Sequence, residues 1–263
     1  MDTLQQKRLK ILLIGDACVD VYIVGRCERL SPEAPVPVFL KKEEYVAKGM
    51  SENVFENLKN MSDADISYFS NNSKDITKTR FIDDRTKQHV LRYDIEEDVE
   101  PLDINSLPLQ KFDAVVISDY NKGYISAKSA REIASKYSCT VFVDTKKSDL
   151  SCYEGCVVKL NEKESRSSKN KDKVILIETL GPKGARFNGK HYATDVVEVH
   201  DVCGAGDVFL SAMIASWLTN KDMEKAIRVA NACAAYSVTK LGTYVLSRDE
   251  YEKVKREQDK ICT

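Results

Sequence analysis

Short, uninterrupted apolar runs recur along this chain and leave few architectures open to it. The first spans residues 10–15 and ends in glycine, and similar runs lie at 66–69, 114–117, 140–143, 156–160 and 174–177. Runs of this length without polar alternation are typical of strands buried on both faces of a parallel sheet. Helical stretches such as 127–136 lie between several of them. The alternation predicts an α/β fold with a doubly wound, mainly parallel sheet and helices on both of its faces.

Two regions break this pattern and predict a second, smaller sheet. Residues 19–26 and 36–45 are typical of extended segments, and 77–82 is followed by a second strand at 88–93 with no helix between them. The prolines of 31–37 exclude a helix from the connection between the first two. A length of 263 residues fits one large domain. We therefore expect a single domain over 1–263, with a small β-sheet formed by about 19–45 and 77–94.

Composition limits the partners. The formal net charge is -1, from 40 Lys and Arg against 41 Asp and Glu, and no segment concentrates basic residues with aromatics, so nucleic acid is not an expected partner. No apolar run is long enough to span a membrane, and residues 1–10 are polar without a hydrophobic signal core, which predicts a cytoplasmic protein without membrane association. The eight Cys are dispersed and the three His form no ligand pattern, so reduced thiols are expected.

The stretch 199–209, VHDVCGAGDVF, carries the clearest chemistry. It turns on Gly204 and Gly206 and leads into a helix that begins near Ala205, and free N–H groups at such a helix start attract anions. Asp207 lies in the first turn, where a carboxylate is also ordinary helix-start chemistry. Next to a bound phosphate, the same carboxylate can take a proton from an attacking hydroxyl. We interpret this stretch as a catalytic centre.

Other polar residues follow the predicted strands. Asp16 and Asp20 come directly after the first run, where open α/β sheets bind ligands, although either one alone is also compatible with a solvated loop. The segment 179–185 contains glycines that suit a phosphate-contacting turn, with an ordinary hairpin turn as the alternative.

Residues 201–207, Asp-x-x-Gly-Ala-Gly-Asp, resemble the signature of the ribokinase-like (PfkB) carbohydrate kinases. The resemblance implies a ribokinase-like fold in which the small β-sheet is a lid over the sugar and often the dimer interface, so a homodimer is expected. It also implies that Asp207 is the catalytic base and that Gly204, Ala205 and Gly206 supply backbone donors. Cys203 stands where the family carries Thr or Ser, and both a thiol of lowered pKa and a buried inert thiol remain open.

Further segments match the family position by position. Gly49 and Asn53 fit its sugar-binding Gly-Gly-x-x-Asn segment, whereas Met50 replaces the second glycine. The remaining implied roles fall into three groups: sugar binding by Asp16, Asp20, Gly49 and Asn53; support of Mg²⁺ through water by Asn161 and Glu164; and the nucleotide side lined by Thr179, Gly181, Gly184 and Asn231. Charge complementarity suggests that Arg29 or a nearby lysine meets a substrate phosphate. The implied cofactors are ATP and Mg²⁺, with a monovalent cation left open.

The segment 29–38, with Ser-Pro-Glu-Ala-Pro-Val-Pro at its centre, narrows the resemblance to the heptose-phosphate kinases of ADP-heptose synthesis. It implies transfer of the ATP γ-phosphoryl group to the anomeric hydroxyl of a heptose 7-phosphate. Two segments, at 60–77 and 164–173, are shorter than in the family. Alternatives are a kinase of another sugar or nucleoside, and a non-catalytic descendant that binds sugar or nucleotide. A third is a dinucleotide-binding oxidoreductase, but this sequence has no Gly-x-Gly-x-x-Gly motif after the first apolar run.

Overall fold

The computed structural model describes residues 8–261, so most of the polar stretch 1–10 lies outside the described part of the chain. Its helices are α1 (Ser51–Met61), α2 (Ala127–Lys136), α3 (Glu162–Ser167), α4 (Ala205–Asn220), α5 (Met223–Ser237) and α6 (Arg248–Ile261). Its strands are β1 (Lys10–Gly15), β2 (Ala17–Leu30), β3 (Pro37–Met50), β4 (Asp65–Ser70), β5 (Ile76–Asp83), β6 (His89–Glu96), β7 (Ala114–Asp119), β8 (Thr140–Thr145), β9 (Val157–Asn161), β10 (Ile175–Thr179), β11 (Ala185–Phe187) and β12 (Lys190–Tyr192).

The larger sheet has the strand order β12-β11-β10-β9-β8-β7-β1-β4. From β4 to β10 the strands run parallel, and β11 and β12 add an antiparallel hairpin at one edge. Each apolar run that the sequence analysis identified forms one of the parallel strands. The mainly parallel sheet is therefore confirmed, and the carboxyl ends of its strands meet along a single edge.

Helices cover both faces of this sheet, because alternate residues of each central strand point to opposite sides. Ile11 and Leu13 of β1 pack into one core with residues of α1, α4, α5 and α6, and Leu12 and Ile14 pack into the other with residues of α2. α4 is buried along most of its length, which explains its nearly continuous apolar sequence. No helix within residues 8–261 combines the length and the apolar character that crossing a membrane would require.

The smaller sheet, β3-β2-β5-β6, is formed by the four segments expected for the lid, and β2 and β3 extend beyond the expected ends at residues 26 and 45 to Leu30 and Met50. β1 passes into β2 through Asp16 alone, and β3 passes directly into α1. Asp16 is fixed to the larger sheet, because its N–H donates to the Ser118 carbonyl at 3.0 Å and its carbonyl accepts from Ser51 N–H at 2.9 Å. The base of the lid is thereby anchored at the carboxyl edge of the larger sheet.

Candidate active site

Asp207 lies in the first turn of α4 and is almost fully buried. The Tyr120 hydroxyl donates to its Oδ1 at 2.7 Å and Asn53 Nδ2 donates to its Oδ2 at 3.0 Å. Burial raises the pKa of Asp207 to about 6, although both hydrogen bonds act to lower it. A carboxylate with this pKa is ionised near neutral pH and still basic enough to accept a proton from a hydroxyl.

Most of the predicted sugar-side residues lie at the base of the lid, and Asn53, in α1 behind it, contacts Asp207. Asp20 forms a buried ion pair with Arg80 of β5, with 2.6 Å between Oδ1 and Nη1. Gly49 lies against it, since a Cβ at that position would stand 2.6 Å from Asp20 Oδ2. Asp16 is also buried, and its Oδ1 has no hydrogen-bond partner among the described residues. Both acids therefore place buried carboxylate oxygens at the base of the lid.

The loop before α4 is fastened to the turn at 239–245. Asp201 accepts from the backbone N–H groups of Cys203, at 2.9 Å, and Gly242, at 3.0 Å. Burial and a hydrogen bond to Asp201 raise the pKa of the Cys203 thiol to about 11, so the lowered pKa that a helix start can give a thiol is absent. Cys203 is partly buried, and the raised pKa favours the inert thiol over the reactive one of the two alternatives.

A cavity of about 500 Å³ opens at the start of α4, within the size range of small-molecule sites. It brings together most of the residues predicted for catalysis and for the nucleotide side: Asn161, Thr179, Gly181, Gly184, Gly204, Ala205, Gly206, Asp207 and Asn231. Asn231 also ties α5 to the segment after β12, because its Nδ2 donates to the Tyr192 carbonyl at 2.9 Å. The wall of the cavity formed by residues 194–202 is rich in valine, and this apolar surface suits the planar ring of a nucleotide base.

Two lysines, one in β9 and one directly after β8, line this cavity. Lys159 of β9 is buried and pairs with Asp144 of β8, with 2.6 Å between Nζ and Oδ2. Lys146, which follows β8, contacts Glu164 and lies 5.2 Å from the centre of the Tyr120 ring. The two lysines are positively charged and Asp207 is an acid, so the cavity carries charges of both signs near the start of α4.

The side chains around this end fit Mg²⁺. Asp144 lines the cavity, and its Oδ1 is buried without a partner among the described residues. Asn161 and Glu164 form a capping box at the start of α3, which also gives them a structural role. Asp144 and Asn161 line the cavity and offer oxygen, the donor that Mg²⁺ prefers. Glu164 does not line it, and its two oxygens already accept from Lys146 Nζ and from Asn161 N–H, so it would act on Mg²⁺ through water. An ion that keeps several waters and phosphate ligands needs no closed protein cage. Within residues 8–261 no cluster of three His, Cys, Asp or Glu side chains forms such a cage.

The structure does not bring Arg29 to the other predicted residues. It is exposed near the outer end of β2, nine positions beyond Asp20, or about 30 Å along an extended strand. The segment 31–36, which carries the prolines, is at the same distant tip. Lys78, on β5, is a lysine of the lid that lies near the site, 5.3 Å from the centre of the Tyr120 ring.

Sequence reasoning assigned no role to Tyr120, Arg80 or the Lys159–Asp144 pair. A signal was present for Lys159, which interrupts an otherwise apolar buried strand, because a buried lysine requires a partner. Tyr120 and Arg80 contact Asp207 and Asp20 across 87 and 60 positions of sequence. Such contacts depend on the fold, so spacing along the chain gives no sign of them.

With this geometry in place, comparison with known proteins identifies the class. The sequence model of the pfkB family carbohydrate kinases matches residues 65–249, so the chain belongs to that family and is a sugar kinase. Solved structures agree on the fold. The ribokinase of Thermotoga maritima superposes with a TM-score of 0.67 at 19% identity over 94% of this chain and 99% of that one. Phosphofructokinase-2 of Escherichia coli, in complex with potassium, gives 0.73 at 14% identity over 96% and 100%.

Individual relatives are closer in sequence. The bifunctional protein HldE of Aliarcobacter butzleri is 30% identical over 305 residues, covering 93% of this chain and 64% of the relative. HldE of Campylobacter jejuni strain RM1221 is 33% identical over 308 residues, covering 97% and 66%. The chain thus spans about two thirds of the length of the curated relatives it matches. These alignments exceed the 263 residues of the chain, so the relatives carry additional residues within the matched region.

Proposed function

We propose that this sugar kinase transfers the γ-phosphoryl group of ATP to the anomeric hydroxyl of a heptose 7-phosphate. The observation that carries the transfer is Asp207, a buried carboxylate with a pKa of about 6 at the start of α4, between a cavity and the lid. The heptose is supported by the resemblance of segment 29–38 and by the HldE relatives.

In the proposed reaction Asp207 takes the proton of the acceptor hydroxyl as its oxygen attacks the γ-phosphorus. The N–H groups of the turn 204–206 donate to the oxygens of the transferring group, whose charge they stabilise without rearrangement. Asn53 and Tyr120 hold both oxygens of Asp207 in place. The unpartnered Oδ1 of Asp16 and the carboxylate of Asp20 would accept sugar hydroxyls.

On the nucleotide side, the cavity would hold ATP against Thr179, Gly181, Gly184 and Asn231. Asp144, Asn161 and Glu164 would hold Mg²⁺ through water, and that ion, when bound, neutralises charge on the phosphates. An ATP-dependent reaction of this kind also fits the cytoplasm, where ATP is available.

For the far phosphate of the sugar we propose Lys78. It is half-buried on the site-facing side of β5 and forms no ion pair with any residue of 8–261. Lys78→Met should raise KM for a phosphorylated sugar at least tenfold, because a charge-assisted contact is lost. Its KM for ATP should change little. Arg29→Met, at the exposed tip of the lid, is the matched control. A tenfold effect in the control with none at Lys78 would reverse the assignment.

One observation favours a kinase of a different sugar. Met50 has φ 54° and ψ -130°, a backbone conformation that suits glycine, and its side chain is 3% exposed, packed among Cys18, Ile76 and Tyr120. A methionine side chain thus occupies the base of the lid beside the ring that holds Asp207. This side chain would make the acceptor site narrower, and for that reason we keep a kinase of a different sugar as the second candidate function.

The experiment that tests the proposal supplies purified protein with ATP, Mg²⁺ and one acceptor at a time. The panel contains heptose 7-phosphate, ribose, fructose and a nucleoside, and phosphorus NMR follows the product. A new anomeric phosphate signal from heptose 7-phosphate is the expected result. Phosphorylation of another acceptor while heptose 7-phosphate stays unchanged would refute the heptose assignment and leave the kinase class intact.

A further inference from the structure

Lys159 is a buried cation whose role in the site has not yet been assigned. It lies in the middle of β9, is 3% exposed, and pairs with Asp144 on the neighbouring strand, its register partner in the sheet. Both side chains project to the sheet face that carries α4. Burying an ion pair costs desolvation that its mutual attraction often fails to recover, so a pair at this position calls for a reason other than stability.

Its position relative to the turn before Asp207 supplies that reason. A Cβ at Gly206 would stand 2.9 Å from Lys159 Nζ, and a Cβ at Gly204 would stand 2.8 Å from Asn53 Nδ2. Each glycine of the turn therefore lies against a nitrogen donor, Gly204 against Asn53 and Gly206 against Lys159. Asn53 belongs to the side of the acceptor, whereas Lys159 belongs to the side of the nucleotide cavity, which it lines.

The electrostatics call for an anion between these groups. The start of a helix carries partial positive charge, and an ammonium placed beside it is unfavourable on its own. Asp144 offsets part of this charge through Oδ2, and Asp207 faces the same space, while Lys146 is engaged with Glu164. A phosphoryl group entering from the cavity would meet Lys159 and the N–H groups of the turn together.

We propose that Lys159 is a further catalytic residue, which donates from Nζ to a non-bridging oxygen of the transferring γ-phosphoryl group. The inference rests on the proposed kinase reaction. The acceptor oxygen bonds to the γ-phosphorus as the bond from that phosphorus to the bridging oxygen of ADP breaks, and the hydroxyl proton passes to Asp207. Lys159 keeps its protons throughout and stabilises the charge of the transferring group.

The test is a cycle of three variants: Lys159→Met, Asp144→Asn and the double variant. Lys159→Met should lower kcat by about 100-fold or more, the loss expected for one charge-stabilising donor. The Kd for ADP, which lacks the transferring group, should change by less than about threefold by calorimetry. Lys163→Met, an exposed lysine on α3, is the matched control and should match the unaltered protein.

The double variant separates catalysis from simple charge balance. If Lys159 only neutralises Asp144, removing both charges should restore kcat to the level of Asp144→Asn, and this result would overturn the inference. If Lys159 contacts the phosphoryl group, the double variant stays about 100-fold below Asp144→Asn. The double variant buries no unpaired charge, so it also serves if Lys159→Met fails to fold.

The pH profile gives a second readout. Lys159 acts to lower the pKa of Asp207, so the fall of kcat/KM at acidic pH should move to higher pH in Lys159→Met.

Failure of the inference about Lys159 can be distinguished from failure of the proposed function. If the unaltered protein turns over and Lys159→Met matches it, only the role of Lys159 is wrong. If the unaltered protein neither binds ATP nor phosphorylates any acceptor, the proposed function is refuted and the inference falls with it.

Discussion

At the scale of single residues, Asp207 shows a conflict between stability and chemistry. Its pKa is raised from 3.8 to about 6, so the folded state holds this proton more tightly than the unfolded chain. The associated stability is fully present below the unfolded pKa and is lost as the pH rises through about 6. At neutral pH the ionised carboxylate therefore destabilises the fold, by an amount on the order of 2–3 kcal/mol.

Asp207→Asn should abolish turnover and leave the melting temperature at pH 7 equal to or above that of the unaltered protein. The amide keeps the shape and removes the buried charge but cannot accept a proton. Calorimetry and a turnover assay on the same preparation measure both effects. A marked fall in melting temperature would instead make Asp207 a structural cap of α4, and near-normal turnover would refute its role as the base.

The same pKa predicts the dependence of activity on pH. Asp207 acts in its ionised form, so kcat/KM should be constant above neutrality and should fall about tenfold for each pH unit below the pKa of about 6. A profile between about pH 4.5 and pH 8 tests this, with circular dichroism at each pH as the control for unfolding. If kcat/KM instead begins to fall only near pH 4, burial does not govern the pKa of the Asp207 carboxylate.

At the scale of elements, the turn before α4 depends on a glycine that serves two purposes. Gly204 has φ 74°, in the left-handed region, and a Cβ there would stand 2.8 Å from Asn53 Nδ2. Gly204→Ala should cost about 1–2 kcal/mol for its backbone conformation. It should also lower kcat, because Asn53 would be pushed away from Asp207.

Gly155→Ala is the matched control, since Gly155 has φ 77° and open space where a Cβ would lie. It carries the same backbone penalty without a neighbour to displace. Chemical denaturation should show a larger loss of stability in Gly204→Ala, whose Cβ would also stand 2.8 Å from Thr243 Cγ2, and only Gly204→Ala should lose activity. Equal kcat in the two would show that the contact with Asn53 does not matter for turnover.

The elements themselves were largely predictable from the sequence, but the contacts between them were not. The strands and the helix start at Ala205 follow from local patterns, namely apolar runs, a Gly-x-Gly turn and helical spacing. Arg80 reaches Asp20 only because β5 lies beside β2, a pairing that no local pattern specifies. The proline-rich segment resembled a family in its amino-acid sequence. Its position at the outer tip of the lid, however, depends on the length and register of β2 and β3.

At the scale of the whole molecule, the lid has two different faces. Across its four strands Tyr45, Tyr22 and Arg80 lie in one row, and Tyr22 and Arg80 contact Thr243 and Asp20 at the site. The adjacent row has Val46, Val21, Thr79 and Tyr93, and must point to the opposite side. Val46 is 62% exposed and Tyr93 is 56% exposed, so apolar side chains extend over an outer face that nothing within residues 8–261 covers.

A second copy of the chain is the occupant we propose for this face. The edge strands β3 and β6 carry further exposed apolar residues, Leu40 and Leu91, and uncovered apolar edges promote association. Light scattering should therefore give twice the chain mass of 29.7 kDa. The paired substitution Val46→Lys and Tyr93→Lys should yield a monomer, because like charges would meet across a symmetric interface.

The control is Leu109→Lys, because Leu109 is 86% exposed and lies outside the lid. This variant should remain dimeric. Activity separates two consequences of dissociation. Because Asp20, at the base of the lid, would accept sugar hydroxyls in the proposed reaction, loss of the partner should raise KM for the acceptor while the affinity for ATP stays the same. A monomeric unaltered protein with full activity at working concentration would contradict both the dimer and the proposed support of the lid.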